Sequence, residues 1–237
     1  MTTNLKTDMD DHPQLRDRIK ETLLTKGNLQ QKIYDNTFNV FNELKETLNE
    51  MSAELNDELD GQLDKRIRIE YRDRGKFECQ LQVAGDMLIF IMHTDIYEFN
   101  REHDIWKNAY VKEEPRNASC GMIDIYNFLA DSFKYNRASD EGYLIGRIFV
   151  NHDMQYCVEG KRQTSLRHDC FGTRRIDKEA LLTIIQTAIL YSLEFNMLVP
   201  PYDNVKMVTV EQMNTKFEHT KLQTCKRLGY KFNADDI

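Results

Sequence analysis

The chain has 237 residues and a mass of 28.1 kDa, and 41% of its residues are hydrophobic against 30% charged. Ten glycines and four prolines are too few for a collagen-like or low-complexity chain, and 12 Phe and 11 Tyr supply apolar surface for a core. The longest wholly apolar run, residues 87–92, is far shorter than the ~20 residues of a membrane-spanning helix. Residues 1–13 show no apolar secretion signal. These features predict a globular cytoplasmic protein of one domain, or one domain plus an extension.

The net charge of −7 is unevenly distributed along the chain. Residues 1–64 hold 14 Asp/Glu and 7 Lys/Arg, whereas residues 65–237 hold 25 of each sign. We therefore divide the chain into an acidic helical segment, 1–64, and a neutral body, 65–237. An acidic extension repels nucleic acid and anionic membrane surfaces, so neither is the expected partner.

The five cysteines indicate neither a disulfide framework nor a zinc site. They are Cys79, Cys120, Cys157, Cys170 and Cys225. Their number is odd, and no CxxC pair or Cys-His cluster occurs. Cys79 and Cys157 occupy apolar positions of predicted strands and are expected in the core as reduced thiols.

Two helices are predicted in the N-terminal segment, over residues 13–26 and 28–59, with Gly27 ending the first. In the second helix, apolar positions recur every 3.5 residues, the spacing of a packing seam. The seam consists of Tyr34, Thr37, Phe41, Leu44, Leu48, Met51 and Leu55. Three heptads are short for an independent coiled coil, so two alternatives stand: packing on the chain's own sheet, or pairing with a second copy. In the second alternative the homodimer interface is Phe41, Leu44, Leu48, Met51 and Leu55.

From residue 66 the hydrophobic period changes from helical to two, which predicts strands. Strands are predicted at 67–72 and 77–83, with turns at 73–75 and 84–86, and a central strand follows at 87–92. The stretch 93–117 is irregular. Beyond it, a strand is predicted at 122–126 and a hairpin of two strands at 143–150 and 154–159. The predicted helices are 127–135, 177–197 with Asp177 as its N-cap, and 211–228, with a last strand at 205–210 before it. This order indicates an α+β fold with a mainly antiparallel sheet.

Several stretches resemble an uncharacterised protein family of Bacteroidota bacteria. They are EYRDRGKFECQLQVAGDMLIF (70–90), IDIYNFLADSFKYNR (123–137), GYLIGRIFV (142–150), VEGKRQ (158–163), LVPPYDNVKMVTVEQMN (198–214) and KRLGYKFNADDI (226–237). The resemblance is weakest over the acidic N-terminus. It implies a cytoplasmic bacterial protein, and because the family has no assigned activity, it carries over no functional residue.

One motif suggests an enzyme. Glu159 and Lys161 end a predicted strand as Glu-x-Lys, and with an upstream acid such as Asp140 or Asp153 they resemble the Mg²⁺ site of PD-(D/E)xK nucleases. Two features weigh against this alternative: Asp153 lies in the hairpin loop, some 20 Å of strand from Glu159, and the sheet lacks the expected crossover helix. Glu-x-Lys at a strand end is also a common chance pattern.

The loop 160–175 is locally basic and forms a candidate site for an anion or an acidic partner. Its cations are Lys161, Arg162, Arg167, Arg174 and Arg175. A solvated loop is the simpler interpretation of the same charges.

The sequence favours a non-catalytic protein-binding or regulatory module, because the motifs of serine hydrolases, P-loop proteins and dinucleotide-binding folds are absent. No cofactor is expected, apart from Mg²⁺ under the nuclease alternative. The order of elements is similar to the secretion-chaperone-like fold, whose members are small, acidic and usually dimeric, and bind polypeptides. This likeness of fold implies a protein partner or a homodimer, and does not establish function.

Overall fold

The structure is a computed structural model that describes residues 12–64, 67, 69–138, 140–160, 171–194, 202–207 and 209–210. Its helices are α1 (His12–Thr22), α2 (Asn28–Glu58), α3 (Ala109–Glu113), α4 (Ala130–Lys134), α5 (Lys178–Glu194) and α6 (Tyr202–Val205). Its strands are β1 (Ile69–Gly75), β2 (Glu78–Val83), β3 (Asp86–Met92), β4 (Tyr97–Glu98), β5 (Ser119–Leu129), β6 (Tyr143–Asn151) and β7 (Tyr156–Gly160). Within these residues, no helix is long and apolar enough to cross a membrane.

The seven strands form one antiparallel sheet, as the α+β prediction required. Along the sheet the order is β1-β2-β3-β5-β6-β7, and the short β4 pairs with one end of β5. The apolar β3 lies between β2 and β5 and is buried along most of its length, which confirms that it is central. A strand that is covered on both faces needs apolar side chains on both, and β3 contains the run MLIFIM over 87–92.

Helices α2 and α5 pack side by side on one face of this sheet. The buried apolar face of α5 comprises Ala180, Leu181, Ile184, Ile185, Ala188 and Ile189. Asp177 caps the helix as predicted, since its carboxylate accepts a hydrogen bond of 2.8 Å from the backbone N–H of Ala180. Side chains from α2, α5 and the facing strands form a single large core.

The seam of α2 packs on the chain's own sheet. Phe41, Leu44 and Leu48 have no exposed surface, Met51 is 5% exposed, and Leu55 is partly buried against the same core. The structure thus supports the first of the two alternatives, and it corrects the assignment of these five residues to a dimer interface. Their apolar surface is already buried within one chain, so none of the first four is available to a second copy. The core therefore contains residues from both sides of residue 64, and α2 is one of its layers.

Helices α1 and α2 are continuous, so the prediction that Gly27 ends the first helix was wrong. Gly27 has φ −61° and ψ −47°, an ordinary right-handed helical conformation, and a π-helical turn over Leu23–Gly27 joins the two helices. A helix ends at glycine when the glycine adopts a left-handed conformation, and here it does not. The helix consequently runs from residue 12 to residue 58.

Two further local predictions differ from the structure. The first hairpin turns at 76–77 instead of 73–75, because Asp73 and Gly75 still pair with β2, across a register shift between these two residues. The side chain of Lys45 on α2 bonds to Asp73 and to the Gly75 carbonyl, which fixes this hairpin against the helix. A strand was expected over 205–210, but residue 205 ends a helical turn formed by residues 202–205. The predicted helix 211–228 lies outside the described residues.

The other face of the sheet is covered at its two ends. At one end, the segment from β4 to residue 118 forms a second apolar cluster with Phe149, Cys157 and Phe171. At the other end, α4 packs against Met87 and Ile89. As predicted, Cys79 and Cys157 are buried, and neither forms a disulfide bond.

The first prediction concerns the seam of α2. Phe41→Ala removes a fully buried aromatic ring from between helix and sheet and should lower the free energy of unfolding by about 3–5 kcal/mol. Urea denaturation followed by circular dichroism measures this loss. Asn39→Ala, at an exposed position of the same helix, is the control and should change stability by less than about 0.5 kcal/mol. Equal effects of the two substitutions would contradict the packing described.

A close approach between α2 and β5 depends on Gly121. A Cβ atom at this position would lie 2.1 Å from Thr37 Oγ1 and 2.9 Å from Thr37 Cβ. Thr37 itself is fully buried, and its hydroxyl donates to the carbonyl oxygen of Ile33. The helix therefore crosses the sheet at its present height only because residue 121 has no side chain.

Gly121→Ala should accordingly destabilise the fold by about 1–3 kcal/mol, because the added methyl group forces α2 away from the sheet. Gly85→Ala is a matched control, since a Cβ at Gly85 meets no atom within 4 Å. Thermal denaturation of both variants makes the comparison. Combining Gly121→Ala with Thr37→Ala should restore part of the lost stability, and no recovery would mean that the clash is not the cause.

Candidate functional site

Glu159 and Asp140, the two carboxylates of the nuclease alternative, have other partners in the structure. Glu159 lies opposite Arg147 on the neighbouring strand, with its Oε2 3.8 Å from an Arg147 guanidinium nitrogen. Asp140 accepts a 2.7 Å hydrogen bond from the Ser132 hydroxyl and lies 3.7 Å from Arg137. Lys161 lies outside the described residues.

No group of three or more His, Cys, Asp or Glu side chains that could hold a metal ion occurs in the described part of the chain. Asp153, the other upstream acid considered, lies in the β6–β7 turn and accepts a hydrogen bond of 3.1 Å from the Tyr110 hydroxyl. The described residues therefore give the Glu-x-Lys motif no structural support as a metal site.

The basic loop is described only at its C-terminal end, because Lys161, Arg162 and Arg167 lie outside the described residues. Arg174 contacts the carboxylates of Asp177 at 2.9 Å and Glu179 at 3.1 Å, and its hydrogen bond with Asp177 raises the pKa of the guanidinium. Arg175 forms an isolated backbone bridge with Gln155. Arg174 is therefore already paired with acids of the same chain, which does not favour its role in binding an external anion.

A polar cluster lies on the partly open face of the sheet, between the two apolar clusters. At its centre is Asp124 on β5, whose side chain is 3% exposed. One carboxylate oxygen accepts from Arg147 Nε at 3.1 Å, and the other lies 3.0 Å from His93 Nε2 and accepts from the Tyr126 hydroxyl at 3.2 Å. Burial, followed by the Asp124 charge, raises the pKa of Tyr126, which therefore remains a donor.

The chemistry available to this cluster is limited. A carboxylate that orients an imidazole is part of hydrolytic triads, but a triad also needs a nucleophile bonded to that imidazole. Among the described residues, His93 has no hydrogen bond to a hydroxyl or thiol. Burial raises the pKa of Cys79 to about 12, so this thiol is not a nucleophile near neutral pH. In this cluster a carboxylate buried on the sheet is paired with a cation, and Arg147 lies between Asp124 and Glu159.

Sequence reasoning missed the Asp124 cluster, although a signal was present. Asp124 is a charge within the apolar run Met122–Ile125, and Arg147 is likewise a charge within the apolar strand β6. A buried charge of this kind needs a partner, and two opposite charges on neighbouring strands are candidates for each other. The sequence does not predict the strand register that places Asp124 opposite Arg147, because that register is set only in the folded sheet.

A second candidate surface lies on α1 and the π-helical turn, where every residue from 14 to 26 is exposed. Leu15, Ile19 and Leu23 recur every four residues on one side, with exposed fractions of 47%, 60% and 64%. The same three side chains line one shallow groove together with Arg18 and Thr22. We call Leu15, Ile19 and Leu23 the α1 stripe.

Comparison with known proteins gives no match: no family model, curated protein or solved structure is similar to this chain. Any function must therefore be inferred from the geometry of the described residues.

Removing Arg147 should test the role of the Asp124 cluster. Arg147→Met leaves a buried carboxylate without its cation and should cost about 2–4 kcal/mol, less than the ~3–5 of a fully buried pair because Arg147 is partly exposed. Arg72→Met, which breaks the exposed pair with Glu70, is the control and should cost less than about 1 kcal/mol. Urea denaturation compares the two. In the double variant with Asp124→Asn the loss should shrink, and an unchanged loss would refute the charge-pair explanation.

Proposed function

We propose that the protein is a non-catalytic binding module that docks the α1 stripe into an apolar groove on another protein. The observation that carries this proposal is the exposure of three large aliphatic side chains, aligned at helical spacing on a helix whose every residue from 14 to 26 is exposed. From Ile33 onward, the large apolar residues of the long helix are buried or partly buried against the body. Apolar side chains at spacings of four along a helix are the usual anchors of helix-in-groove recognition.

The charges beside the stripe indicate what kind of groove it fits. Residues 16–32 hold five basic side chains, Arg16, Arg18, Lys20, Lys26 and Lys32, and two acidic ones, Asp17 and Glu21. With 100° between successive residues, Arg16 and Arg18 lie on the two flanks of the stripe, whereas Asp17 and Glu21 lie on the opposite side. The Asp17 carboxylate pairs with Lys20, which leaves Arg16 and Arg18 as the flanking charges without a described ion-pair partner. A groove with an acidic rim is therefore complementary to this surface.

The same charges argue against two other occupants. Two copies of α1 placed side by side would bring their basic flanks together, so this stripe is poorly suited to the homodimer expected from the sequence. An anionic membrane would attract the flanks, but the chain as a whole carries −7 and three aliphatic anchors bury little surface in a bilayer. An acidic protein partner is the occupant that both the stripe and its flanks favour.

Binding of a defined peptide tests this proposal. The probe is a synthetic amphipathic helix of about 20 residues, with leucine at positions four apart and glutamate on both flanks, and its affinity is measured by fluorescence anisotropy. Ile19→Glu with Leu23→Glu should weaken binding at least ~10-fold, because two apolar anchors are lost and repulsive charges are added. The matched control, Gln14→Glu with Thr25→Glu, adds the same charge to the far side of the helix and should bind nearly as tightly as wild type.

Three outcomes would contradict the proposal. The first is equal binding of a lysine-flanked version of the peptide, since the complementarity argued above would then be irrelevant. The second is a dimer, seen by sedimentation, that Ile19→Glu with Leu23→Glu dissociates, which would identify the occupant as a second copy. The third is binding to vesicles with 30% phosphatidylserine that exceeds binding to the peptide, which would indicate a membrane surface.

A further inference from the structure

The region where α2 first meets the body is held by a network of polar side chains around the turn between β6 and β7. Asn36 on α2 donates from its amide to the backbone carbonyl oxygens of Asn151 and His152, at 3.0 and 2.9 Å. Lys32, one turn earlier, lies 3.8 Å from the Asp153 carboxylate. These contacts occur next to Ile33, which is the first buried residue of the long helix. They therefore fix the base from which α1 extends.

The same turn is tied to the segment that covers the other face of the sheet. Asn151 is fully buried, and its amide donates to the Tyr110 hydroxyl at 3.1 Å and to the Asn117 carbonyl oxygen at 3.3 Å. The Tyr110 hydroxyl in turn donates to Asp153 at 3.1 Å. One four-residue turn thus joins α2, the sheet and the covering segment. We call this turn, residues 151–154, the clasp.

His152 is the member of the clasp that can change its charge near neutral pH. Its side chain is 18% exposed, and Nε2 faces the Asp153 carboxylate at 3.5 Å. The other ring nitrogen, Nδ1, is buried and has no hydrogen-bond partner. A neutral ring with its proton on Nε2 is tolerated here, whereas a second proton would place an N–H group on Nδ1 with no acceptor.

The charged groups near the ring act in opposite directions. Asp153 in the clasp and Glu114 before residues 115–118 favour the protonated form, and Lys32 on α2 and Arg116 disfavour it. Burial is the largest influence, so the pKa of His152 lies below its ordinary value.

We propose that the clasp is an acid-sensitive joint: protonation of His152 opens it and frees the base of α1 from the body. Its consequence for docking rests on the proposed function of α1, because a helix with a loosened base presents the α1 stripe in a less defined direction. The joint itself depends only on the contacts above.

The pH range follows from the direction of the pKa shift. Above the pKa of the unfolded chain, ~6.5 for histidine, His152 is neutral whether the clasp is closed or open and the clasp keeps its full stability. As the pH falls below this value, the open state binds a proton and the closed state resists it. The closing equilibrium of the clasp therefore weakens as the pH falls, by at most about tenfold for each pH unit, until His152 itself becomes protonated in the closed state.

Hydrogen exchange of the intact protein at pH 7.5 and pH 5.5, corrected for intrinsic exchange rates, tests the joint. In the wild type, the amides of residues 151–157 and 33–37 should lose protection at the lower pH, by at most about tenfold, while those of β3 change little. His152→Gln keeps a donor toward Asp153 but cannot be protonated, and should retain its protection at both pH values. His103→Asn is the control: it removes another histidine, keeps an acceptor for the Ile105 N–H, and should behave as wild type.

A second variant keeps the test decisive if His152→Gln fails to fold. Asn36→Ala removes the two bonds from α2, so these amides should exchange fast at both pH values. The proposal is overturned if His152→Gln loses protection at pH 5.5 as the wild type does, or if Asn36→Ala keeps a wild-type pH dependence. Peptide binding by the same samples separates the two proposals: acid-dependent exchange without any peptide binding would retain the clasp and remove the docking function.

Discussion

The packing of α2 across the sheet is the constraint on which the rest of the molecule depends. The helix places Val40, Phe41, Leu44 and Leu48 with no exposed surface, and it crosses β5 where Gly121 leaves room for Thr37. Each fully buried aliphatic or aromatic side chain is worth about 1.5–3 kcal/mol relative to exposure, so this seam is a large fraction of the stability of a domain of this size. Because α1 continues α2 without a break, the same packing also sets where the exposed part of the helix leaves the body.

The two faces of the sheet are stabilised by different means. The face under α2 and α5 holds the large apolar core, whereas the opposite face carries Asp124, buried and neutralised by Arg147 and in contact with His93. A buried ion pair adds less stability than apolar packing, but the loss of one partner is costly because the other charge remains unsolvated. This face therefore fixes the alignment of β5 and β6.

Both proposals concern the N-terminal part of the long helix: the α1 stripe lies on its exposed part, and the clasp contacts it where the packed part begins. The α1 stripe is exposed, and the proposed partner is complementary in charge to its basic flanks. The clasp lies where the exposed and the packed parts of the helix meet, so a change in the charge of His152 acts on the helix at its base. Binding and its proposed regulation thus use a single rigid element, with the clasp controlling how firmly that element is held.

The sequence by itself determined the kinds of element and much of their order. The 3.5-residue period of α2, the alternation of β1 and β2, the doubly apolar β3, the 151–153 hairpin and the Asp177 cap are local patterns, each produced by the chain's own periodicity or turn chemistry. The tertiary structure decided what lies beyond such local patterns. The residues of the α2 seam would pack equally well on a sheet or on a second helix, so their pattern does not say which one they contact. Gly27 likewise is compatible with the end of a helix and with its continuation. The contacts of Asp124 with Arg147 and His93, and of Asn36 with the clasp, join residues 23, 31 and more than 100 positions apart. Pairs so distant are set by strand register and by the height of a helix above a sheet, which only the folded chain fixes.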